Sequence, residues 1–308
     1  MGQGVPGGTV TLVEGSTFCI SEAGGDVAHG QLQGLFVRDM RVLSRWALAI
    51  DGRTPKPLTV QQSEPYAATF IGNLPAHGEM ASNSLLVLRR RYVGDGMRED
   101  ITIRNTAPLP AACTVTLAAA ADFADLFEVK RGQAQAGPSA RAVAGASMLT
   151  FQTRRGERQA GLLIDGDGQP QVTGETLSWQ AAIPAHGEWT ASIEAVPVVD
   201  GTPLEPHHRR GQPAEHAVPA RRLHEWRRNA PQVQTVEPQL ATVLRRSVED
   251  IGALRIFDPG HPGRAEADFV QDLARLLFGR RVADLSLAAG QRLQGPEREG
   301  VIPREQHP

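Results

Sequence analysis

The densest set of side chains able to do chemistry lies in Asp122–Lys130, which reads Asp-Phe-Ala-Asp-Leu-Phe-Glu-Val-Lys. Three carboxylates, Asp122, Asp125 and Glu128, recur every third residue among Phe123, Leu126, Phe127 and Val129. Two carboxyl groups can cleave a glycosidic bond when they stand about 5–5.5 Å apart for retention, or about 6.5–9.5 Å apart for inversion. On a helical turn, residues three apart share a face, so Asp122 and Asp125 would suit that chemistry. On a strand they would point to opposite sides. The favoured reading is structural instead: the acids cap a turn and pair with Arg38, Arg41 or the arginines at 89–91, while Phe123, Leu126 and Phe127 anchor the segment.

Other constellations are weaker. Arg38-Asp39-Met40-Arg41 has the residue types of a nucleotide or sugar site, but paired charges at a loop-to-strand junction are more often structural. His207, His208, His216 and His224 make no metal-ligand spacing with a carboxylate or cysteine, so no metal is expected. The glycine pairs near the N-terminus and at 24–25 do not form a phosphate-binding fingerprint after a strand. There is no Gly-x-Ser-x-Gly elbow and no Cys/His nucleophile arrangement. The residues themselves assign no catalytic pair and call for no cofactor.

Composition narrows the class. The chain of 308 residues is 41% hydrophobic and 21% charged, which is ordinary for a globular protein. A formal net charge of −2 argues against a general nucleic-acid binder, which needs a clustered positive excess. The basic pairs Arg209–Arg210, Arg221–Arg222 and Arg227–Arg228 have acidic neighbours and read as solvated helical faces. Cys19 and Cys113 give no disulfide framework and no zinc spacing. No signal peptide is expected from Met1–Gly8, and no run approaches the length of a membrane helix, so a cytoplasmic protein without a membrane partner is expected.

The elements that must position these residues follow from periodicity. Thr9–Val13, Thr17–Ile20, Tyr66–Ile71, Leu85–Val93, Arg98–Arg104 and Ala112–Ala120 read as short strands separated by turn signals. Trp46, Leu48 and Ile50 share one face of another, and Asp51-Gly52 predicts a hairpin turn to a partner at Pro57–Gln61. Arg89, Arg90 and Arg91 place the second half of their strand at an edge or near acidic partners. Further strands at 148–152, 161–164, 176–183 and 189–199 bring the count to about twelve, enough for two packed antiparallel sheets. The fold class is therefore mainly β: a two-sheet sandwich over 1–200, a Pro- and His-rich linker over 201–219, and a helical segment over 220–308. In that last segment Ala220–Arg228, Pro238–Ile256 and Ala265–Arg292 carry helical patterning. Their apolar stripes need the sandwich or further helices to pack on.

An ordered set of stretches resembles one family, the N-terminal domain of bacterial glycogen debranching enzymes related to amylo-α-1,6-glucosidases. The set comprises Glu14–Phe18 with Ile20-Ser21, Gly25-Asp26, and Gly34–Phe36 through Asp39, Arg41 and Leu43–Trp46. Arg89–Arg91 with Glu99–Ile101, Asn105 and Asp122–Lys130 complete it, and Ser247–Ile256 resembles the family's helix after the linker. The resemblance implies a sandwich followed by an (α/α)6 barrel that carries the catalytic carboxylates. Leu277–Arg280 resembles a motif near that barrel's start, with Arg281 where an acidic residue is expected, and the barrel reads as truncated. On this reading Asp122, Asp125 and Glu128 are not the catalytic pair.

Three functions arise as expectations. The first is a debranching-enzyme-like protein of α-glucan metabolism without hydrolase activity as an isolated chain. The second is a carbohydrate-binding or scaffolding module working with a separate catalytic subunit, so that an α-glucan and that subunit are the expected partners. The third is an active α-1,6-glucosidase. Aromatic residues make up only 5% of the chain, which gives little material for a sugar-stacking platform.

Overall fold

In the computed structural model, which describes residues 8–28, 32–74, 85–134, 143–144, 147–155, 158–230 and 237–257, the alternating segments become strands that all pair antiparallel. The stretch Ala265–Arg292 and the loop holding Pro75, His77 and Gly78 lie outside the described residues. The chain divides into two compact units, Met1–Leu254 and Arg255–Pro308, and every described strand and helix belongs to the first.

The chain opens with β1 (Thr9–Glu14), β2 (Thr17–Glu22), β3 (Gly34–Val37), β4 (Met40–Leu43) and β5 (Arg45–Ile50). Next come β6 (Lys56–Glu64), β7 (Ala67–Leu74), β8 (Leu85–Val93), β9 (Met97–Asn105), β10 (Ala111–Ala120) and β11 (Ala124–Asp125). A single-turn helix, α1 (Leu126–Lys130), precedes β12 (Val143–Ala144), β13 (Met148–Arg155) and β14 (Arg158–Gly166). The last strands are β15 (Gln171–Thr173), β16 (Thr176–Ile183), β17 (Glu188–Val199) and β18 (Thr202–Pro203). Helices α2 (Val218–Asn229) and α3 (Pro238–Ala253) come after them.

Three sheets result. The largest runs β12-β13-β14-β17-β9-β8-β7-β6, with β18 added beside β17. A four-stranded sheet, β15-β16-β10-β5, and a five-stranded sheet, β1-β2-β3-β4-β11, share its hydrophobic core. Trp46, Leu48 and Ile50 of β5, Val115 and Leu117 of β10, and Leu177 and Ile183 of β16 meet Val87, Ile101, Ile103, Leu162, Ile164 and Ile193 in that core. Each set alternates with more exposed residues, so the period of two that defines the strands also defines the sandwich interior.

The Asp51-Gly52 turn forms, but its expected partner strand does not pair with β5. Asp51 and Gly52 both have positive φ (49° and 71°), and Ile50 and Arg53 exchange backbone hydrogen bonds of 2.9 and 3.0 Å. Beyond that single bridge, β5 pairs with β10, and β6 crosses to the large sheet to pair with β7. The physical reason lies in Thr54-Pro55-Lys56-Pro57: two prolines without N–H groups cannot extend a ladder from the turn.

Helices α2 and α3 occupy the helical segments expected near 220–228 and 238–256. The Trp226 indole N–H donates to the Val248 carbonyl at 2.7 Å, and Arg227 bridges Glu249 of α3 at 2.8 Å and Glu64 of β6 at 2.6 Å. A Cβ at Gly252 would stand 2.5 Å from Trp226 Cδ1. Gly→Ala inside a helix ordinarily gains about 1 kcal/mol. Here the sign should reverse, because the methyl must displace a hydrogen-bonded indole. Gly252→Ala is expected to destabilise the chain by on the order of 1 kcal/mol net, read as a lower urea midpoint.

Candidate functional site

The candidate carboxylates are positioned by β4 and β11. Arg38 and Asp39, with φ of 48° and 65°, form a two-residue turn between β3 and β4, so that stretch is a hairpin corner. Pairing of Arg41 with Ala124 then sets Asp122 against the Arg41 guanidinium. Arg41 is 3% exposed, and its Nε donates to the two Asp122 oxygens at 3.2 and 3.1 Å, while Nη2 makes a closer ion pair with Oδ2. Asp122 Oδ1 also accepts from the Ala124 N–H at 3.3 Å. Asp125 caps α1: its Oδ1 accepts from the Phe127 N–H at 2.8 Å, and Glu128 accepts from the Asp125 N–H at 3.1 Å. This is a capping box.

Residues 122–125 are not helical, so the spacing of three does not set Asp122 and Asp125 on one helical face. Of the expected anchors, Phe123 is buried and Leu126 packs against a small cluster of Phe36, Ala124 and Val129. Phe127 does not anchor the segment; it is 60% exposed. Leu126 and Val129, three apart, share the inward face of the single helical turn, and Phe127 falls off it.

A second concentration of charge lies in the core. The arginine run at 89–91 alternates across β8, so Arg89 and Arg91 point inward while Arg90 is exposed. Register places Arg91 directly opposite Glu99 of β9. Glu99 is fully buried and accepts from Arg89 Nε at 2.9 Å, Arg91 Nε at 2.7 Å and the Trp46 indole N–H at 3.1 Å. Arg89 also pairs with Asp26 and donates to the Gly24 carbonyl at 3.0 Å; Arg91 donates to the Gly25 carbonyl. Asp26 accepts from the Leu48 N–H at 3.1 Å. Burial alone pushes the Glu99 carboxyl up, but the two guanidinium groups and the indole N–H outweigh it and hold it below the ordinary range. Cys19 lies 3.7 Å from Arg91, and burial pushes its thiol up; burial likewise pushes Cys113 up to about 11. Neither thiol has the exposed, electropositive setting of a nucleophile. The cluster joins all three sheets and is closed to a substrate.

The third concentration arises where 201–219, expected as a linker, runs back over the sandwich. His207 lies between two acids: its Nδ1 is 2.9 Å from Glu14 Oε2 and its Nε2 is 3.8 Å from Asp95 Oδ2. Arg222 of α2 approaches the other Glu14 oxygen at 3.4 Å. His208 is 3% exposed and sits between the rings of Tyr66 and Tyr92, at centroid distances of 5.2 and 5.0 Å. His216 and His224 are exposed and separate from this pair. Among the described residues no group of three His, Cys, Asp or Glu is placed to hold a metal ion. No motif in the sequence singles out this site, because its signal is a contact between β1 and residue 207 rather than a spacing. No helix among the described residues is long and apolar enough to cross a membrane.

Of the tryptophans, Trp46 and Trp179 are buried and out of reach of a sugar. Trp189 is partly buried and packs edge-on against Trp179, with ring centroids 6.2 Å apart.

Solved structures with similar chain courses include a human-microbiome protein named for kojibiose phosphorylase, 6% identical with a TM-score of 0.41. The match covers 62% of this chain and 30% of that one, so the chain spans under a third of that protein's length. A galactose mutarotase-like protein from Clostridium acetobutylicum is 7% identical with a TM-score of 0.40, over 64% of this chain and 98% of that one. A heparan sulfate lyase from Pedobacter heparinus is 9% identical with a TM-score of 0.33, over 68% of this chain and 43% of that one. A search of the curated proteins returns no significant match. Residues 12–194, more than half of the chain and running from within β1 into β17, match the family of N-terminal domains of some glycogen debranching enzymes, and the chain belongs to that family.

Proposed function

We propose that this chain is a debranching-enzyme N-terminal domain protein of cytoplasmic α-glucan metabolism, with no hydrolase activity of its own as an isolated chain. The observation that carries this reading is the family match over residues 12–194. The engagement of the candidate acids supports it: Asp122 is bound by Arg41, and Asp125 and Glu128 close a capping box. In this role the sandwich supplies a rigid, charge-stapled support, and glycosidic-bond cleavage belongs to other residues. Purified protein is expected to release no glucose from a phosphorylase-limit dextrin. Turnover that disappears in Asp125→Asn would overturn the reading.

A second reading makes the chain a scaffolding module for a separate catalytic subunit. It draws on α3, where Leu240 and Val243 are 47% and 60% exposed one turn apart. Binding to an α-glucan affinity gel by the chain alone, unaffected by Leu240→Ser/Val243→Ser, would favour direct carbohydrate binding over this scaffolding role.

A further inference from the structure

The segment between the sandwich and α2 is held by an unusual pair of adjacent histidines in opposite environments. His207 faces carboxylates from two different turns: Glu14 ends β1, and Asp95 lies between β8 and β9. Its backbone N–H donates to the Gly94 carbonyl at 2.9 Å, so backbone and ring grip the same corner. Glu14 is 6% exposed, and its second oxygen faces Arg222 of α2. His208 faces the phenol rings of Tyr66 and Tyr92, with Arg98 over Tyr92 at 5.6 Å and His207 alongside. Both ring nitrogens of His208 are buried without a hydrogen-bond partner. The rest of the segment is tied down by Arg98, which donates to the Arg209 and Gln212 carbonyls at 2.7 and 2.8 Å, and by Arg210, which pairs with Asp165.

We propose that His207 and His208 form a two-sided pH latch that seats residues 204–216, and through them α2, on the sandwich. The latch closes when His207 is a cation donating to Glu14 while His208 is neutral between the tyrosines. Opening transfers both rings to water, where each has its ordinary proton affinity.

The two limbs have opposite signs. Burial opposes the charge on His207, but Glu14 and then Asp95 outweigh it and raise its proton affinity, so its contribution is complete below about pH 6.5 and is lost as pH rises through the raised value. Burial, reinforced by His207 and Arg98, lowers His208 to about 4. Its contribution is complete above about pH 6.5 and is lost as pH falls toward that value. Seating is therefore firmest in a window near or just below neutrality.

Hydrogen exchange of the full chain tests this, with protection corrected for intrinsic exchange rates and followed from pH 4.5 to 8.5. Amides of 204–216 are expected to open more readily than those of β10 at every pH, and their opening should rise by at most about twenty-fold between pH 7 and pH 5, since the His208 limb supplies that factor and the His207 limb opposes it. His208→Phe keeps the ring stack and should flatten the acid limb only. His207→Gln keeps a hydrogen bond to Glu14 without charge and should flatten the alkaline limb only. Equal protection of 204–216 and β10 at every pH in the unmodified protein would overturn the proposal, since opening would then be global. Unchanged limbs in the two variants would overturn it equally.

Discussion

Replacing Glu99 by alanine is expected to lower folding stability by about 3–5 kcal/mol, a large part of the 5–15 kcal/mol typical of a domain. The reason is the burial of what remains. Arg91 is fully buried and Arg89 is 3% exposed, and both donate to Glu99, so truncation strands two guanidinium groups in the core. Trp46, also fully buried, loses the acceptor for its indole N–H. Urea unfolding followed by tryptophan fluorescence should show the loss as a lower midpoint; a midpoint within experimental error of the parent would contradict this account. Glu99→Gln should lie between, because it keeps an acceptor oxygen but loses the charge that balances the arginines.

The same cluster predicts a pH dependence. Since the folded-state affinity of Glu99 for a proton is below the ordinary value, its contribution is present above the ordinary carboxylate range and is lost as pH falls through the depressed value. Acid unfolding driven by Glu99 should therefore begin below about pH 4. His208 acts higher, between about pH 6.5 and 4, so the two effects separate on a titration of the urea midpoint.

Much of this is legible in the residues, and what is not has a common cause. Alternation places Trp46, Leu48 and Ile50 inside, and the charges of Asp122–Lys130 point to an arginine such as Arg41, because both rest on local pattern and plain electrostatics. The arginine run at 89–91 announces an acidic partner, yet its strand lies in the middle of the large sheet and not at an edge. Which strand pairs with β5 depends on β10, distant in sequence, and no local signal beyond Pro55 and Pro57 forbids the hairpin. The Pro- and His-rich composition of 201–219 gives it the look of a linker. Its grip on the sandwich comes from Tyr66, Tyr92, Glu14 and Asp95, which only the folded chain assembles around His207 and His208.

Asp122→Ala is expected to cost about 3 kcal/mol or more in stability, and it separates the chemical from the structural reading of the segment that holds the densest acids. Arg41 is almost entirely buried, and Asp122 takes it with both oxygens, so removing the acid leaves a buried cation short of its counter-charge. Asp125→Ala should cost only about 1 kcal/mol, the ordinary loss of a helix N-cap on a short, exposed turn. That ranking, Asp122 well above Asp125, follows from burial. A catalytic pair would behave differently, with both substitutions leaving the urea midpoint nearly unchanged and abolishing turnover. The double variant Arg41→Met/Asp122→Leu provides the control. If the ion pair is structural, removing both charges together should recover much of the stability lost in Asp122→Ala, with a coupling of about 1–3 kcal/mol in the double-mutant cycle. Additive losses would mean that Asp122 acts on something other than Arg41, and the structural assignment of this acid would fail.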